Sequence, residues 1–589
     1  MTFRAPVNDI GFCLQAVSGL ADLQRDGLAG PADADSVAVT LAQAARTTDS
    51  LIAPLDRESD RTGARYRDGR VVLAPGHADA YRQWCAGGWM GADAPAAIGG
   101  MALPLSVGAA LTELWHSGCM GFAMGLVLTQ AAAELLDRFG SPELRARYLP
   151  RLVSGEWSAT MAMTEAQAGS DLGLARTRAD PQPDGSYRVS GDKIFISYGD
   201  HDATDNVVHM VLARIAGDPP GVHGLSLFLV PKMIEDADGA LAANRVACIG
   251  IEHKLGLHGS PTCAMRYGDD DEGATGWVVG EPRQGLAAMF TMMNRARLST
   301  GMQGTAVGEK ATQQAYAFAR QRLQGHGADR RTVPIIEHPD VRRMLLDMRS
   351  AVMGARCLSF YAAATLDRAE RDPDPAARQA AAARGALLTP IVKAYGSDLG
   401  VETASLGVQV HGGMGYIEET GIAQRFRDAR IAPIYEGTNG LQAIDLVARK
   451  IAQAGPETAL ILLAELAAIG DEARAAGDPL IVETGDAVIA SIVAAGDAIG
   501  WVTTHAAARS EILWGARPML TLLGQTIAGA LLLRGAMAPD TDHFTPPADM
   551  AALAGFFAQN RLAHSSALAA QVRANGGLLD TADSMTAYA

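Results

Sequence analysis

Apolar residues recur at three- and four-residue intervals through residues 1–155, the spacing of helices that bury one face. The clearest runs are Ser36–Ala53, Ala78–Ala86 and Pro104–Arg138, and Gly- and Pro-rich joints such as Asp93–Gly100 separate them. This pattern predicts a mainly helical N-terminal domain over residues 1–155.

Near residue 156 the pattern changes to short runs rich in β-formers, bounded by turn residues. The predicted strands are Tyr187–Ser190, Lys193–Ser197, Val207–Ile215, Leu225–Val230, Arg245–Ile251, Thr262–Tyr267 and Gly276–Val279. Because no helical run separates them, an antiparallel barrel or sandwich is favoured over a parallel sheet. We predict an antiparallel β-barrel domain over residues 156–281.

The helical spacing returns after Pro282. Long helices are predicted at Leu286–Leu323, His338–Asp367, Pro375–Leu406 and Ile444–Ala454. Short loops between long helices indicate an antiparallel bundle, here over residues 282–455. An Ala- and Leu-rich segment with 6 Arg, no Lys and 14 Asp or Glu follows, and it predicts an added C-terminal helical domain over residues 456–589. The predicted fold class is therefore α+β.

The 589 residues are 48% hydrophobic and 20% charged, a balance typical of globular proteins. The net charge of −15 repels nucleic acid and anionic membranes, so we expect neither as a partner. The most apolar stretches, such as Met120–Leu136 and Gly524–Leu533, are expected to be too short or interrupted to span a bilayer. The six Cys include no CxxC pair, so we expect free thiols and no metal site. The N-terminus resembles no secretory signal, so we expect a cytoplasmic location.

Two segments of the β-domain carry side chains suited to a planar ring. In the segment Met161–Asp171, Thr164 and backbone N–H groups could hold a heteroatom edge, and small residues would let a ligand chain pass close to the backbone. In the segment Gly-Asp-Lys-Ile-Phe-Ile-Ser, strand alternation places Lys193, Phe195 and Ser197 on one face. Taken alone, each segment is more often an ordinary strand or turn.

Two segments of the bundle have a different character. The glycines of Gln409–Gly415 allow the backbone to approach a phosphate, although a helix-ending turn explains them equally well. The segment Ile431–Asn439 precedes a helix that Thr438 or Asn439 would cap. Glu436 then either complements the helix dipole or is a general base held on a fixed turn.

These four segments, in this order and at these separations, resemble the acyl-CoA dehydrogenase family of flavoproteins over roughly residues 80–450. The family has a helical N-terminal domain, a middle β-domain and a helical bundle, which matches the order predicted above. An N-terminal extension at Ala5–Phe12 and the added C-terminal helices make the chain most similar to the 3-methylmercaptopropionyl-CoA dehydrogenase subgroup. The resemblance implies FAD as cofactor, an acyl-CoA substrate, electron-transfer flavoprotein as electron acceptor, and a homo-oligomer of two or more subunits.

The resemblance also implies residue roles. Met161, Met163 and Thr164 match residues at the pyrimidine edge of the flavin, and Phe195 and Ser197 match residues at its dimethylbenzene side and N5. Arg322 matches a residue that meets the FAD phosphates across the dimer, and Gln409 and Gly413 match contacts to the adenosine diphosphate. Thr438 matches a further FAD contact. Those matched to the thioester substrate are Ser170 beside the pantetheine, Asn294 and Arg297 at the adenine end, and Gly437. Glu436 matches the catalytic base. The family more often has Pro, Trp and Asp where this chain has Ala166, Phe195 and Asn294.

The implied reaction is α,β-dehydrogenation. Glu436 would take the α-proton while its own N–H and a ribityl hydroxyl of FAD stabilise the developing enolate. The β-hydride would pass to flavin N5, giving a trans-2-enoyl thioester. We expect 3-methylthiopropionyl-CoA as substrate, with another short or medium acyl-CoA as the alternative. An acyl-CoA oxidase, or a non-dehydrogenating binding protein on the same fold, stays open, although the acidic C-terminal segment argues against DNA binding.

Overall fold

The computed structural model describes residues 3–236, 238–269, 272–327 and 330–574. The end of the expected C-terminal domain, residues 575–589, lies outside them. The α-helices of the described residues, in chain order, are α1 Val7–Phe12, α2 Leu20–Arg25, α3 Ala34–Thr47, α4 Asp56–Thr62, α5 His77–Ala86, α6 Leu105–Gly118, α7 Met120–Phe139, α8 Pro142–Ser154, α9 Gly285–Gln321, α10 Pro339–Arg371, α11 Pro375–His411, α12 Ile422–Ala429, α13 Asn439–Ile444, α14 Glu457–Arg474, α15 Pro479–Thr504, α16 Arg509–Trp514, α17 Ala516–Met537, α18 Met550–Asn560 and α19 Ser565–Val572.

The strands of the described residues form one large sheet and three hairpins. In chain order they are β1 Arg65–Arg67, β2 Arg70–Val72, β3 Ser158–Ala162, β4 Arg178–Pro181, β5 Tyr187–Ser197, β6 Val207–Ile215, β7 Leu225–Pro231, β8 Met233–Glu235, β9 Leu241–Ala243, β10 Val246–Ile251, β11 Thr262–Tyr267, β12 Ala274–Val278, β13 Leu323–His326 and β14 Thr332–Pro334. The hairpins β1–β2 and β13–β14 were not predicted, because runs of three or four residues are too short to show a period.

The chain divides into two compact units. The β unit comprises Arg46–Leu103 and Leu114–Ala296; the bundle unit comprises Met1–Ala45, Pro104–Glu113 and Arg297–Ala589. The finer division expected at residues 155, 281 and 455 stays a prediction.

The large sheet of the β unit runs in the order β10-β11-β5-β12-β7-β6-β3. Strand β4 pairs with both β5 and β6, so β5, β12, β7, β6 and β4 close into a ring. The expected β-barrel is therefore confirmed. Most pairings are antiparallel as predicted, but β3 and β4 each pair with β6 in parallel.

Both faces of the central strands are buried, which explains their nearly continuous apolar sequences. On β7, Leu227 and Leu229 pack with α7, α8 and the start of α9, whereas Phe228 and Val230 pack inside the barrel. Strand alternation thus supplies two hydrophobic cores from one sheet.

The bundle unit is built on the long helices α9, α10 and α11. A Cβ atom on Gly400 of α11 would lie 2.5 Å from the Cα of Gly304 on α9, so the two backbones are in direct contact there. The C-terminal helices join this unit through α17, where a Cβ atom on Gly524 would lie 2.6 Å from Cγ of Tyr395 on α11. The close approach requires glycine at these positions.

By length and composition α15 and α17 could each cross a membrane, and a bent pair, Asn439–Gln453 with Glu457–Arg474, adds a third candidate span. The expectation that the apolar stretches are too short was therefore wrong for Gly524–Leu533, which lies within the 22-residue helix α17. In α17, 83% of the most apolar window is buried within the protein, against 44% in α15. Packing on all sides explains the apolarity of α17. Whether the chain stays out of membranes remains a prediction.

Candidate active site

The turn that carries Glu436 lies between α12 and α13 in the bundle unit. Thr438 caps α13, because its hydroxyl oxygen accepts a hydrogen bond from the Leu441 N–H at 3.3 Å. Glu436 has a φ of 58°, in the left-handed region, and Gly437 follows with a φ of 84°. Such a conformation costs a non-glycine residue about 1–3 kcal/mol and persists only where the surroundings enforce it.

Three side chains hold the carbonyl groups of this turn. The Nε of Arg297 donates to the Glu436 carbonyl at 3.4 Å, and the Nε2 of Gln442 donates to the Glu436 and Gly437 carbonyls at 3.2 and 3.3 Å. The Nζ of Lys393 donates to the Gly437 carbonyl at 2.9 Å. The sequence reasoning missed Gln442 and Lys393, although a single Lys within the apolar run Pro-Ile-Val-Lys-Ala-Tyr of α11 was a usable sign.

The Glu436 carboxyl lies on this turn with one of its oxygens buried. Its Oε2 is buried and has no hydrogen-bond partner within the described ranges. Burial raises the pKa of Glu436, and the charges of Arg297 and Lys393 partly oppose this. Its backbone N–H donates to no residue that the structure describes. A basic oxygen and an unused donor therefore lie on the same residue.

The alternative carboxylates of the sequence analysis lie elsewhere. Glu418 and Glu419 are exposed in a separate turn, and Glu418 pairs with Arg427 at 2.8 Å. Neither lies on the turn that carries Glu436.

The residues assigned to the flavin ring meet at one edge of the β unit. Met161 is buried near the end of β3, and Met163 and Thr164 follow it in a half-buried loop. The Thr164 carbonyl accepts from the Ile194 N–H at 2.9 Å, so this loop lies against β5. The structure thus brings the Met161–Thr164 segment and the end of β5 together.

A β-bulge shapes the end of β5. Ile194 and Phe195 together oppose a single residue of β11, and Phe195 has a φ of 60°. The expectation that Lys193, Phe195 and Ser197 share one face was therefore wrong, because the extra residue shifts the alternation. Lys193 is fully buried, whereas Phe195 is 58% exposed. The half-buried Ser197 lies next to β3, since its carbonyl accepts from Thr160 Oγ1 at 2.7 Å.

A buried ion pair anchors the same loop, and the sequence reasoning missed it. Lys193 Nζ donates to Glu165 Oε1 at 2.8 Å and to the Met163 carbonyl at 2.9 Å. Glu165 also accepts from the Thr177 N–H at 3.0 Å, the Thr177 hydroxyl at 2.6 Å and the Arg176 N–H at 2.8 Å. Bonded this way, the pair fixes the backbone that leads from β3 into the loop.

The residues assigned to the FAD phosphates lie at one end of the bundle. Arg322 is exposed just beyond α9, and its guanidinium makes no hydrogen bond or ion pair with the described part of the chain. Gln409 is exposed in the last turn of α11, and Gly413 is exposed two residues past its end. The ring of Phe318 on α9 stacks on His411 at 4.3 Å, which joins the ends of the two helices.

The residues assigned to the substrate are spread along the chain. Ser170 is exposed in the turn after β3, and Asn294 is exposed on α9, both in the β unit. Arg297, one turn further along α9, contacts the turn that carries Glu436 instead of extending into solvent. Its expected contact with the adenine end of CoA stays a prediction.

Three family models match the chain in succession. Acyl-CoA dehydrogenase N-terminal, middle and C-terminal domains cover residues 40–156, 160–269 and 283–452. The chain belongs to the acyl-CoA dehydrogenase family. This confirms the predicted fold class and the prediction of an oxidoreductase acting on the CH–CH bond of acyl-CoA. FAD is the cofactor of this family, as predicted.

Named relatives agree with this assignment. The chain is 46% identical to 3-methylmercaptopropionyl-CoA dehydrogenase of Ruegeria pomeroyi, over 78% of each chain. It is 35% identical to a butyryl-CoA dehydrogenase of Syntrophomonas wolfei, over 71% of this chain and 70% of the relative.

Solved structures share the fold. Caenorhabditis elegans ACDH-11 in complex with C11-CoA matches with a TM-score of 0.78 at 21% identity, over 95% of this chain and 92% of that one. An acyl-CoA dehydrogenase from Bacillus anthracis complexed with FAD matches with a TM-score of 0.70 at 24% identity, over 86% and 85%.

Proposed function

We propose that this enzyme dehydrogenates a short acyl-CoA thioester to the trans-2-enoyl-CoA, with 3-methylthiopropionyl-CoA as its substrate and Glu436 as its base. The observation that carries the proposal is the Glu436 carboxyl on its strained turn, whose Oε2 is buried without a hydrogen-bond partner among the described residues. A buried carboxylate without a partner is costly, so its retention in this position favours a functional role.

Glu436 removes the α-proton of the thioester. This proton is far less acidic than a carboxylic acid, so the base needs both desolvation and stabilisation of the enolate it creates. Burial raises the pKa of Glu436 and strengthens it as a base. The Glu436 backbone N–H is available to donate to the thioester carbonyl, where the negative charge develops.

The residues of the β unit fit a flavin ring. The exposed Phe195 side chain offers an apolar face for stacking, and Met161 at the end of β3 and Thr164 in the loop after it lie beside the end of β5. The strained φ of Phe195 is typical of a residue held for function. We assign these residues, with Met163 and Ser197, to the isoalloxazine. When bound, FAD supplies the hydride acceptor for the β-carbon.

The residues at the bundle end fit the phosphates. A Cβ atom on Gly412 or Gly413 would meet nothing within 4 Å, so the backbone there is open to close approach by a ligand. Arg322 offers a guanidinium fork without a partner in the described ranges. We assign Arg322, Gln409 and Gly413 to the FAD phosphates and adenosine, with Arg322 reaching across a dimer interface, and Thr438 to a further FAD contact.

The substrate assignment is supported by sequence similarity. The chain is 46% identical to a 3-methylmercaptopropionyl-CoA dehydrogenase and 35% identical to a butyryl-CoA dehydrogenase. Both named substrates are short thioesters, so butyryl-CoA is the alternative. We place Ser170, Asn294 and Arg297 along the CoA part and Gly437 beside the thioester.

The remaining parts of the proposal concern partners. We propose that electrons leave to electron-transfer flavoprotein, that the enzyme is a homo-oligomer, and that it is cytoplasmic. Six free thiols are consistent with a reducing compartment.

A flavin-bleaching screen tests the reaction and the acyl group together. Purified enzyme is mixed anaerobically with 3-methylthiopropionyl-, propionyl-, butyryl-, hexanoyl- and octanoyl-CoA, and the flavin absorbance is followed. We expect the highest kcat/KM with 3-methylthiopropionyl-CoA. A higher value with butyryl-CoA would move the substrate assignment to it, and no bleaching by any thioester would refute the proposed activity. Reoxidation by O₂ as fast as by electron-transfer flavoprotein would indicate an oxidase.

A further inference from the structure

Lys393 lies on α11 with its side chain fully buried, yet its ammonium contacts the turn that carries Glu436. The Nζ donates to the Gly437 carbonyl and to Asn439 Oδ1, each at 2.9 Å. These two acceptors lie one and three residues after Glu436. One side chain from a distant part of the chain therefore joins the catalytic turn to the start of α13.

Asn439 transmits this contact to the body of α11. Its Nδ2 donates to the Ala394 carbonyl at 3.1 Å, to Ser397 Oγ at 3.0 Å and to Asp398 Oδ1 at 2.8 Å. The Asn439 amide is thus bonded on both of its polar atoms, and α11 fixes where α13 begins. The left-handed conformation of Glu436 needs such support, because it is strained.

The electrostatic surroundings of Lys393 are defined by four groups. Burial lowers the pKa of Lys393 to about 8, Glu436 and Asp398 raise it, and Arg297 and Arg517 lower it further. Glu436 is faced by Arg297 and Lys393, both of which oppose the effect of burial on its pKa. The positive charge of Lys393 therefore favours the ionised form of Glu436.

We propose that Lys393 is a positioning residue for proton abstraction: its ammonium holds the Gly437–Asn439 backbone so that Glu436 keeps its strained conformation, and it places a positive charge on the turn that carries the Glu436 carboxyl. Lys393 takes no part in the proton transfer, and the α-proton goes to Glu436. This inference rests on the proposed role of Glu436 as the base.

Three variants separate charge from hydrogen bonding. Lys393→Met removes both, Lys393→Gln keeps a donor without the charge, and Lys393→Arg keeps the charge. Flavin reduction by 3-methylthiopropionyl-CoA is measured by stopped flow from pH 5 to pH 10, alongside FAD content. Lys310→Met is the matched control, because Lys310 is also buried in the bundle unit but lies over the Phe3 ring, 5.8 Å from its centroid.

The acid limb is the part of the pH–rate profile where the rate rises as the base loses its proton. An opposite charge close to a carboxylate lowers its pKa by about 1–3 units, so removing the Lys393 charge should raise the pKa of Glu436. We therefore expect the acid limb to move to higher pH by about one pH unit in Lys393→Met and Lys393→Gln. At a given pH on the acid limb the rate should fall by up to about tenfold in both and recover towards higher pH, with the Met variant retaining a residual loss. The limb should stay in place in Lys393→Arg and in the Lys310→Met control.

An unmoved limb in the neutral variants would overturn the proposal. Loss of FAD from both neutral variants would also overturn it, because Lys393 would then serve folding and not the base. Glu436→Gln distinguishes this from failure of the proposed function. If that variant still reduces flavin, Glu436 is not the base; if it is inactive while the Lys393 variants keep the wild-type profile, only the inference on Lys393 fails.

Discussion

Replacement of Lys193 by Met should loosen the loop after β3, which carries residues assigned to the flavin ring, without changing any of those residues. The side chain is fully buried, and it bonds both the Glu165 carboxylate and the Met163 carbonyl. Met is similar in length and leaves no large cavity. The main consequence is that the Glu165 carboxylate remains buried without its cation.

The structure sets the size of the effect. Breaking a buried ion pair from one side costs about 3–5 kcal/mol, and Glu165 keeps donors from Thr177 and Arg176, so we expect the lower end, about 3 kcal/mol. Burial raises the pKa of Glu165, but Lys193 and these donors outweigh it and lower the pKa from 4.5 to about 2. That difference also corresponds to about 3 kcal/mol, which is present above pH 4.5 and lost as the pH falls towards 2.

The net value of the pair is smaller than this cost. Burial lowers the pKa of Lys193, and Glu165 offsets this only in part. The cost of burying the charged lysine therefore cancels part of the stabilisation that the carboxylate receives from the pair. Removing both charges together should therefore be nearly neutral. We expect Lys193→Met with Glu165→Gln to restore most of the stability lost in Lys193→Met alone.

Native-state hydrogen exchange measures the effect locally. At about 1.4 kcal/mol per decade, amide protection around Ile194 should fall about 100-fold in Lys193→Met, and FAD should be released more readily. The control is Arg266→Met, which breaks the exposed ion pair between Arg266 on β11 and Asp192, the neighbour of Lys193 on β5. Its loss should cost at most about 1 kcal/mol. A loss no larger than the control, or a double variant as unstable as the sum of the single ones, would refute the reasoning.

Other outcomes are expected from the remaining assignments. Glu436→Gln should lower flavin reduction by about 10²–10⁴-fold while FAD content and thioester binding persist, and a near wild-type rate would place the base elsewhere. Arg322→Ala should weaken FAD affinity about 10–100-fold in titrations of the apoprotein, because it removes a charge-assisted bond; unchanged affinity would show that Arg322 does not contact the cofactor. Light scattering should show a dimer or larger oligomer, and a flavin-loaded monomer would contradict a role for Arg322 across an interface.

The sequence by itself determined the long helices and the order of the motifs. Helices such as α9, α10 and α11 follow from a repeat of 3.6 residues that is local to each segment. The turn before α13 follows from Thr438 as a cap, which placed Glu436 just before a helix N-terminus. These features depend on neighbours in sequence, so one chain is enough to predict them.

The tertiary structure decided which distant residues meet. The bulge at Phe195 depends on the register between β5 and β11, and it separates a buried Lys193 from an exposed ring that simple alternation had placed together. Lys393, 44 residues before Gly437 in sequence, reaches the turn that carries Glu436 only because α11 packs against that turn. Register and packing are set by contacts across the fold, and no local period encodes them.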